Sequence, residues 1–181
     1  MCKPVVLSSL AMFAFVASSA SAAPELGREG MQVASSAFAD GGSMPARYSC
    51  DGEGKSPPLS LSNVPLSSKS LVLIVDDPDA PIGTFVHWVV YNLPSSLTEL
   101  PEDAARGALP VGAEEGKNGK GETGWTPLCP PWGRHHYHFK VLALRDLLVL
   151  THPSADDVMR AAQGMVIAKG ETVGTYQRGG R

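Results

Sequence analysis

The stretch "LVLIVDDPDAPIGTFVHWVVYNLP", residues 71–94, decides the fold. Leu71 to Val75 is an unbroken apolar run rich in β-branched residues, and Pro78 stops it. That pattern reads as a central strand ending in a turn. Phe85 to Leu93 is a second run of β-branched and aromatic residues, closed by Pro94. The residues between the two runs leave no space for a crossover helix, so the strands are expected to be antiparallel.

Working outward, "HHYHFKVLAL", 135–144, is a third strong strand. "MVIAKGETVGTYQ", 165–177, is a final strand or a bent pair, with Gly170 and Gly174 marking a bulge or a close contact. "MQVASSAF", 31–38, holds an edge strand. The one clear helix is "SADDVMRAAQG", 154–164, with Ser154 as cap, Asp157 completing the capping box and Gly164 as the stop. Residues 40–65 are dense in Gly, Pro, Ser and Asp and read as an irregular surface segment. Residues 95–128 read as a long loop with at most short turns. A run this long without regular structure is uncommon unless it shapes a site. The expected class is mostly β, with one short helix and Gly/Pro-rich loops at the mouth of any site.

Length and composition agree. The chain has 181 residues, 43% hydrophobic and 18% charged, which suits one folded domain and argues against disorder. A formal net charge of -3 without a polybasic run argues against nucleic acid or an anionic membrane as the main partner. Residues 1–22 have an early lysine, an apolar stretch and the small-residue end Ala20-Ser21-Ala22, the pattern of a cleaved secretory signal peptide. Cleavage would leave 23–181 as a single exported domain, periplasmic or secreted, without a transmembrane segment. Two cysteines then remain, Cys50 and Cys129. An even pair in an exported protein suggests one disulfide, although two separately buried thiols also fit.

The candidate chemistry sits at strand ends. Asp76, Asp77 and Asp79 crowd the end of the first strand. Alternation puts Asp77 and Asp79 on one face if the turn stays extended, and carboxylates that close need donors or a cation. The bland alternative is a turn in which they bond the local backbone. His87 lies within an apolar strand and needs a partner for its ring nitrogens. In "CPPWGRHHYHF", 129–139, alternation sends His135, Tyr137 and Phe139 to one face and His136 and His138 to the other. A three-histidine metal site on this strand alone is therefore disfavoured, and half-exposed polar positions explain His136 and His138 better than a zinc pair. His135 and Tyr137, with His87 and the aspartates, would line a small polar pocket. Nucleophile-elbow, zincin and phosphate-loop motifs are absent. Cys129 is followed by Pro130 and Pro131, not a helix N-terminus that would activate it.

The blocks "YSCDGEGKSPPLSLSNVP", "LVLIVDDPDAP", "HWVVYNLP", "CPPWGRHHYHF" and "ETVGTYQR", in this order, resemble the phosphatidylethanolamine-binding protein family, and within it the bacterial Raf-kinase-inhibitor-like branch. The resemblance covers roughly residues 31–178. It implies a large antiparallel sheet packed on a smaller one, with a small anion pocket at one end. That pocket takes phosphate-like groups, including the phosphoethanolamine head, and its matching residues here are Asp77, Asp79, His87, His135 and Tyr137. Eukaryotic members are tied to kinase and protease inhibition. No cofactor, catalytic residue or metal is implied.

The chain departs from the branch in two places. "GWTPLCPPWG" stands where "GYGGPCPPxG" is usual, and Pro127 cannot donate an N–H to an anion. His136 stands where arginine is usual, so a fixed charge becomes titratable. The expected function is a non-enzymatic binding protein with a small anion or phosphoethanolamine-type pocket, inhibiting or regulating a protein partner, as a monomer or homodimer. The alternatives are a hydrolase or lyase using the Asp/His cluster, with Asp77 and His87 as an acid–base pair, and an interaction module with a vestigial pocket.

Overall fold

The structure, a computed structural model, describes Met1 and residues 30–179. The segment 1–22, apart from Met1, lies outside the described residues. Eight strands and one helix follow in chain order: β1 (Gln32–Ala34), β2 (Leu59–Ser62), β3 (Ser70–Asp77), β4 (Phe85–Pro94), β5 (Glu99–Leu100), β6 (Glu114–Glu115), β7 (Arg134–Leu144), α1 (Ala155–Ala162) and β8 (Val166–Gln177).

They form a five-stranded sheet in the order β6-β4-β3-β7-β8 and a three-stranded sheet in the order β1-β2-β5. All of these strand pairs are antiparallel. This is the expected arrangement of a large sheet, a smaller sheet and a short helix near the C-terminus. β3 lies in the middle of the large sheet, and all eight of its residues are buried. Its inner face carries Leu71, Leu73 and Val75 into the core shared with Leu59 and Leu61 of the small sheet. Its outer face carries Val72 and Ile74 into a second cluster with Val158 and Ala162 of α1. Both faces are covered, so β3 reads as a continuous apolar run instead of an alternating one.

Residues 40–65 are less irregular than expected. They include β2, whose sequence Leu-Ser-Leu-Ser alternates buried and exposed positions as the middle strand of the small sheet. Four residues between prolines and serines give a weak period-2 signal, and pairing on both sides supplies what propensity does not. The stretch 95–128 likewise contains β5 and β6, each two residues long and fixed only by pairing with β2 and β4. The helix carries the expected capping box. Ser154 Oγ accepts from the Asp157 N–H, and the Asp157 carboxylate accepts from the Ser154 N–H. Among the described residues, no helix is long and apolar enough to cross a membrane.

The last strand is single, and its glycines mark close contacts. A Cβ on Gly170 would stand 2.6 Å from the Met31 carbonyl oxygen and 2.9 Å from a Val33 methyl, so β1 can approach β8 only over a bare backbone. Gly174 lies equally close under Met44 and Phe38. At Gly170 the obstacle is backbone and cannot move aside. Gly170→Ala is therefore expected to destabilise the fold by about 1–3 kcal/mol, the usual cost of overpacking, as read from urea unfolding midpoints.

Candidate functional site

The site grows from the turn after β3. Asp77, the last residue of that strand, is 4% exposed. A buried carboxylate is stable only if its oxygens are satisfied, and here both are. Oδ1 accepts the Asp79 N–H at 2.9 Å, which closes the turn, and Oδ2 accepts from His135 Nδ1 at 2.7 Å. His135 is buried as well. The turn is thus folded back on Asp77 and not extended, and Asp79 leaves the face that Asp77 occupies.

Asp79 instead binds the next residue of β7. Its Oδ2 accepts the His136 backbone N–H at 2.9 Å and His136 Nδ1 at 2.7 Å. The His136 ring and then its N–H hold the Asp79 carboxyl below its ordinary pKa. His135 and His136 point to opposite faces of β7, and each is held by one carboxylate of the same turn. Asp76 faces the outer side, where it forms a two-oxygen ion pair with Lys140 at 2.7 and 2.9 Å. His138 pairs with Glu171 at 2.6 Å. Among the described residues, no group of three or more His, Cys, Asp or Glu is placed to hold a metal ion.

His87 sits on β4 with 4% exposure, between the rings of Phe85 (4.9 Å) and Tyr137 (5.2 Å). Its Nδ1 lies 2.7 Å from the Thr126 carbonyl oxygen. A carbonyl only accepts, so Nδ1 carries the proton. Burial, outweighing that hydrogen bond and the Asp77 charge, lowers the pKa of His87. The ring is therefore neutral at neutral pH, and Nε2 is a bare acceptor without a protein partner among the described residues.

Tyr137, on the same face of β7 as His135, is fully buried, and its hydroxyl has no hydrogen-bond partner. Burial and then the Asp77 charge push its pKa far above the ordinary tyrosine value. It stays protonated and able to donate. The His135 and Tyr137 rings are stacked at 6.5 Å. Of the five residues singled out from sequence, Asp77, His87, His135 and Tyr137 form one cluster, and Asp79 caps it from outside through His136.

Sequence reasoning missed Thr126 as a member of this cluster. Its carbonyl orients His87, its N–H donates to the His87 carbonyl at 2.9 Å, and its own buried Oγ1 lacks a partner. A lone threonine in a loop gives no signal of that role. The segment around it is clamped in turn. The Leu128 N–H donates to Tyr48, the Leu128 carbonyl accepts the Cys50 N–H, and a Cys50–Cys129 disulfide joins the same two segments. The N–H groups of Thr126 and Leu128 are thus occupied within the protein, and Pro127 has none. Trp125 contributes a wall, 6.0 Å from the His87 ring, and its Nε1 donates to Gly54.

Residues 34–177 match the family described as phosphatidylethanolamine-binding protein. A UPF0098 protein of Methanothermobacter thermautotrophicus is 44% identical over 151 residues, covering 82% of this chain and 100% of the relative. A UPF0098 protein of Pyrococcus abyssi is 42% identical over 84% of this chain and 88% of its own length. The crystal structure of a phosphatidylethanolamine-binding-protein homolog from Chlamydia trachomatis superposes with a TM-score of 0.78 at 42% identity, covering 83% of this chain and 99% of that one. The E. coli protein YbcL, described as a member of the mammalian family, gives 0.76 at 36% identity over 82% and 99%.

The pKa of His87 makes stability depend on pH. Its folded value lies below the ordinary 6.5, so on acidification the unfolded chain takes up this proton first. The His87 contribution is complete above about pH 6.5 and is lost as pH falls below it. His87→Gln removes that titration. Urea unfolding from about pH 7 to about pH 5 is expected to show a shallower loss of stability in the variant than in the parent. Equal slopes would contradict the neutral, buried assignment.

Proposed function

The chain belongs to the phosphatidylethanolamine-binding protein family, and we propose that it is a non-enzymatic binding protein whose pocket takes a small oxyanion carrying an O–H, a phosphate or phosphate monoester. The observation that carries this reading is the fully buried Tyr137 hydroxyl with no protein partner. Such a group costs about 1–3 kcal/mol when left unsatisfied, and a ligand oxygen repays it. Beside it, His87 Nε2 is an acceptor and calls for a ligand hydroxyl. The free Nε2 of His135, whose ring Asp77 anchors, is the third group offered to the ligand.

The carboxylates do not meet the anion directly. Asp77 is engaged by His135 and its own turn, and Asp79 by His136. Asp77 is thus closed to an ammonium group, while Asp79 keeps Oδ1 without a hydrogen bond on the other face of β7, so in phosphoethanolamine the phosphate end is the part this cluster recognises. Placement in the Raf-kinase-inhibitor-like branch, and export to an oxidising compartment, belong to the same proposal. The first is supported by the Cys-Pro-Pro-Trp-Gly and His-His-Tyr blocks. The second is supported by the Cys50–Cys129 disulfide and the character of residues 1–22.

Calorimetry with inorganic phosphate and phosphoethanolamine tests the reading. Both are expected to saturate, with affinities within about threefold of each other. Binding is tighter at about pH 6 than at about pH 8, because a phosphate monoester loses its last O–H with a pKa of about 6. Tyr137→Phe is expected to abolish binding while leaving stability unchanged or raised by about 1 kcal/mol, because it removes an unsatisfied hydroxyl. Absence of heat at every pH, or undiminished binding by the variant, would overturn the proposal.

A further inference from the structure

The outer face of the large sheet carries a cavity that shares no residue with the Asp77 cluster. Its volume is about 830 Å³, within the range of small-molecule sites. The floor is apolar, made by Ile74 of β3, Val86 of β4 and Leu142 of β7, and the exposed Met159 of α1 forms one wall. The helix packs Val158 and Ala162 onto the neighbouring part of this face, and the cavity is the space it leaves beside itself.

The charges around the rim are not equivalent. Three carboxylates line it, and each has its compensation. Asp76 is paired with Lys140, Glu171 is bonded by His138, and Asp156 lies in the first turn of α1, where the helix dipole favours an anion. Three lysines line it too, and only Lys140 is paired. Lys117 and Lys169 are exposed and have no ion-pair partner among the described residues. The rim groups without an ion-pair partner among the described residues are thus two cations, Lys117 and Lys169, against one carboxylate, Asp156, which the helix N-terminus favours, and the two cations stand over an apolar floor. Their aliphatic stems extend that floor while the ammonium groups stay at its edge.

We infer that this cavity is a second binding site, for a small amphiphilic anion: an apolar body resting on Ile74, Val86 and Leu142, and a single carboxylate, sulfonate or phosphate held between Lys117 and Lys169. The inference stands on the outer face alone and does not depend on what the Asp77 cluster binds.

The test is a titration of the whole chain with decanoate below its micellar concentration, followed by backbone amide NMR. Saturable shifts are expected at Gly119, Gly170 and Ser154, which surround the cavity. The double variant Lys117→Glu, Lys169→Glu changes two exposed side chains and keeps the fold, and its affinity for decanoate is expected to fall by about tenfold or more. Decyltrimethylammonium, with the same tail and the opposite charge, is expected not to saturate the site. Shifts that are absent or centred on residues 135–137, undiminished affinity in the double variant, or equal binding of the cationic amphiphile would each overturn the inference.

Discussion

One buried charge organises the functional end of this molecule. Asp77 ends the central strand inside the protein, where an unpaired carboxylate would be intolerable. Its two oxygens fix two things at once. One closes the turn that leads to β4, and the other sets the tautomer and orientation of His135 on β7. Because β3 lies between β4 and β7, His135 on one neighbour and His87 on the other come to the same end of the sheet, the first held by this carboxylate and the second by the Thr126 carbonyl. The Tyr137 ring then fills the space between them.

Two further segments act on this arrangement at its edges. His136 binds Asp79 on the outer face through its ring and its backbone N–H, so that Asp77 is the carboxylate left inside. The Trp-Thr-Pro-Leu segment turns the Thr126 and Leu128 N–H groups to the protein, and its Thr126 carbonyl makes His87 an acceptor at Nε2. The disulfide and the Leu128 bonds hold that segment, so a constraint outside the cluster bears on the tautomer of His87.

Much of this is legible in the sequence. The β-branched runs at 71–75, 85–93 and 135–144 became the middle of the large sheet, and simple alternation correctly separated His135 and Tyr137 from His136 and His138. The capping box of α1 was readable from Ser154 and Asp157 alone. Short strands were not. Leu59–Ser62, Glu99–Leu100 and Glu114–Glu115 owe their form to pairing with distant partners, which local pattern does not carry. The fate of Asp79 was hidden for a related reason. Alternation applies to an extended backbone, and the chain turns at Pro78. The role of Thr126 depends on its carbonyl, which every residue possesses. The outer-face cavity arises from how far one short helix reaches across a sheet, a matter of tertiary packing.

His87 is a neutral imidazole with its proton on Nδ1 and a bare Nε2, and under the proposed function that nitrogen accepts a ligand hydroxyl. Nitrogen NMR of the imidazole rings measures this directly. At neutral pH the expected spectrum assigns His87 the Nδ1–H tautomer, and added phosphate shifts its Nε2 resonance in the direction of an accepted hydrogen bond. An imidazolium at neutral pH, an Nε2–H tautomer, or an Nε2 signal indifferent to phosphate would contradict it.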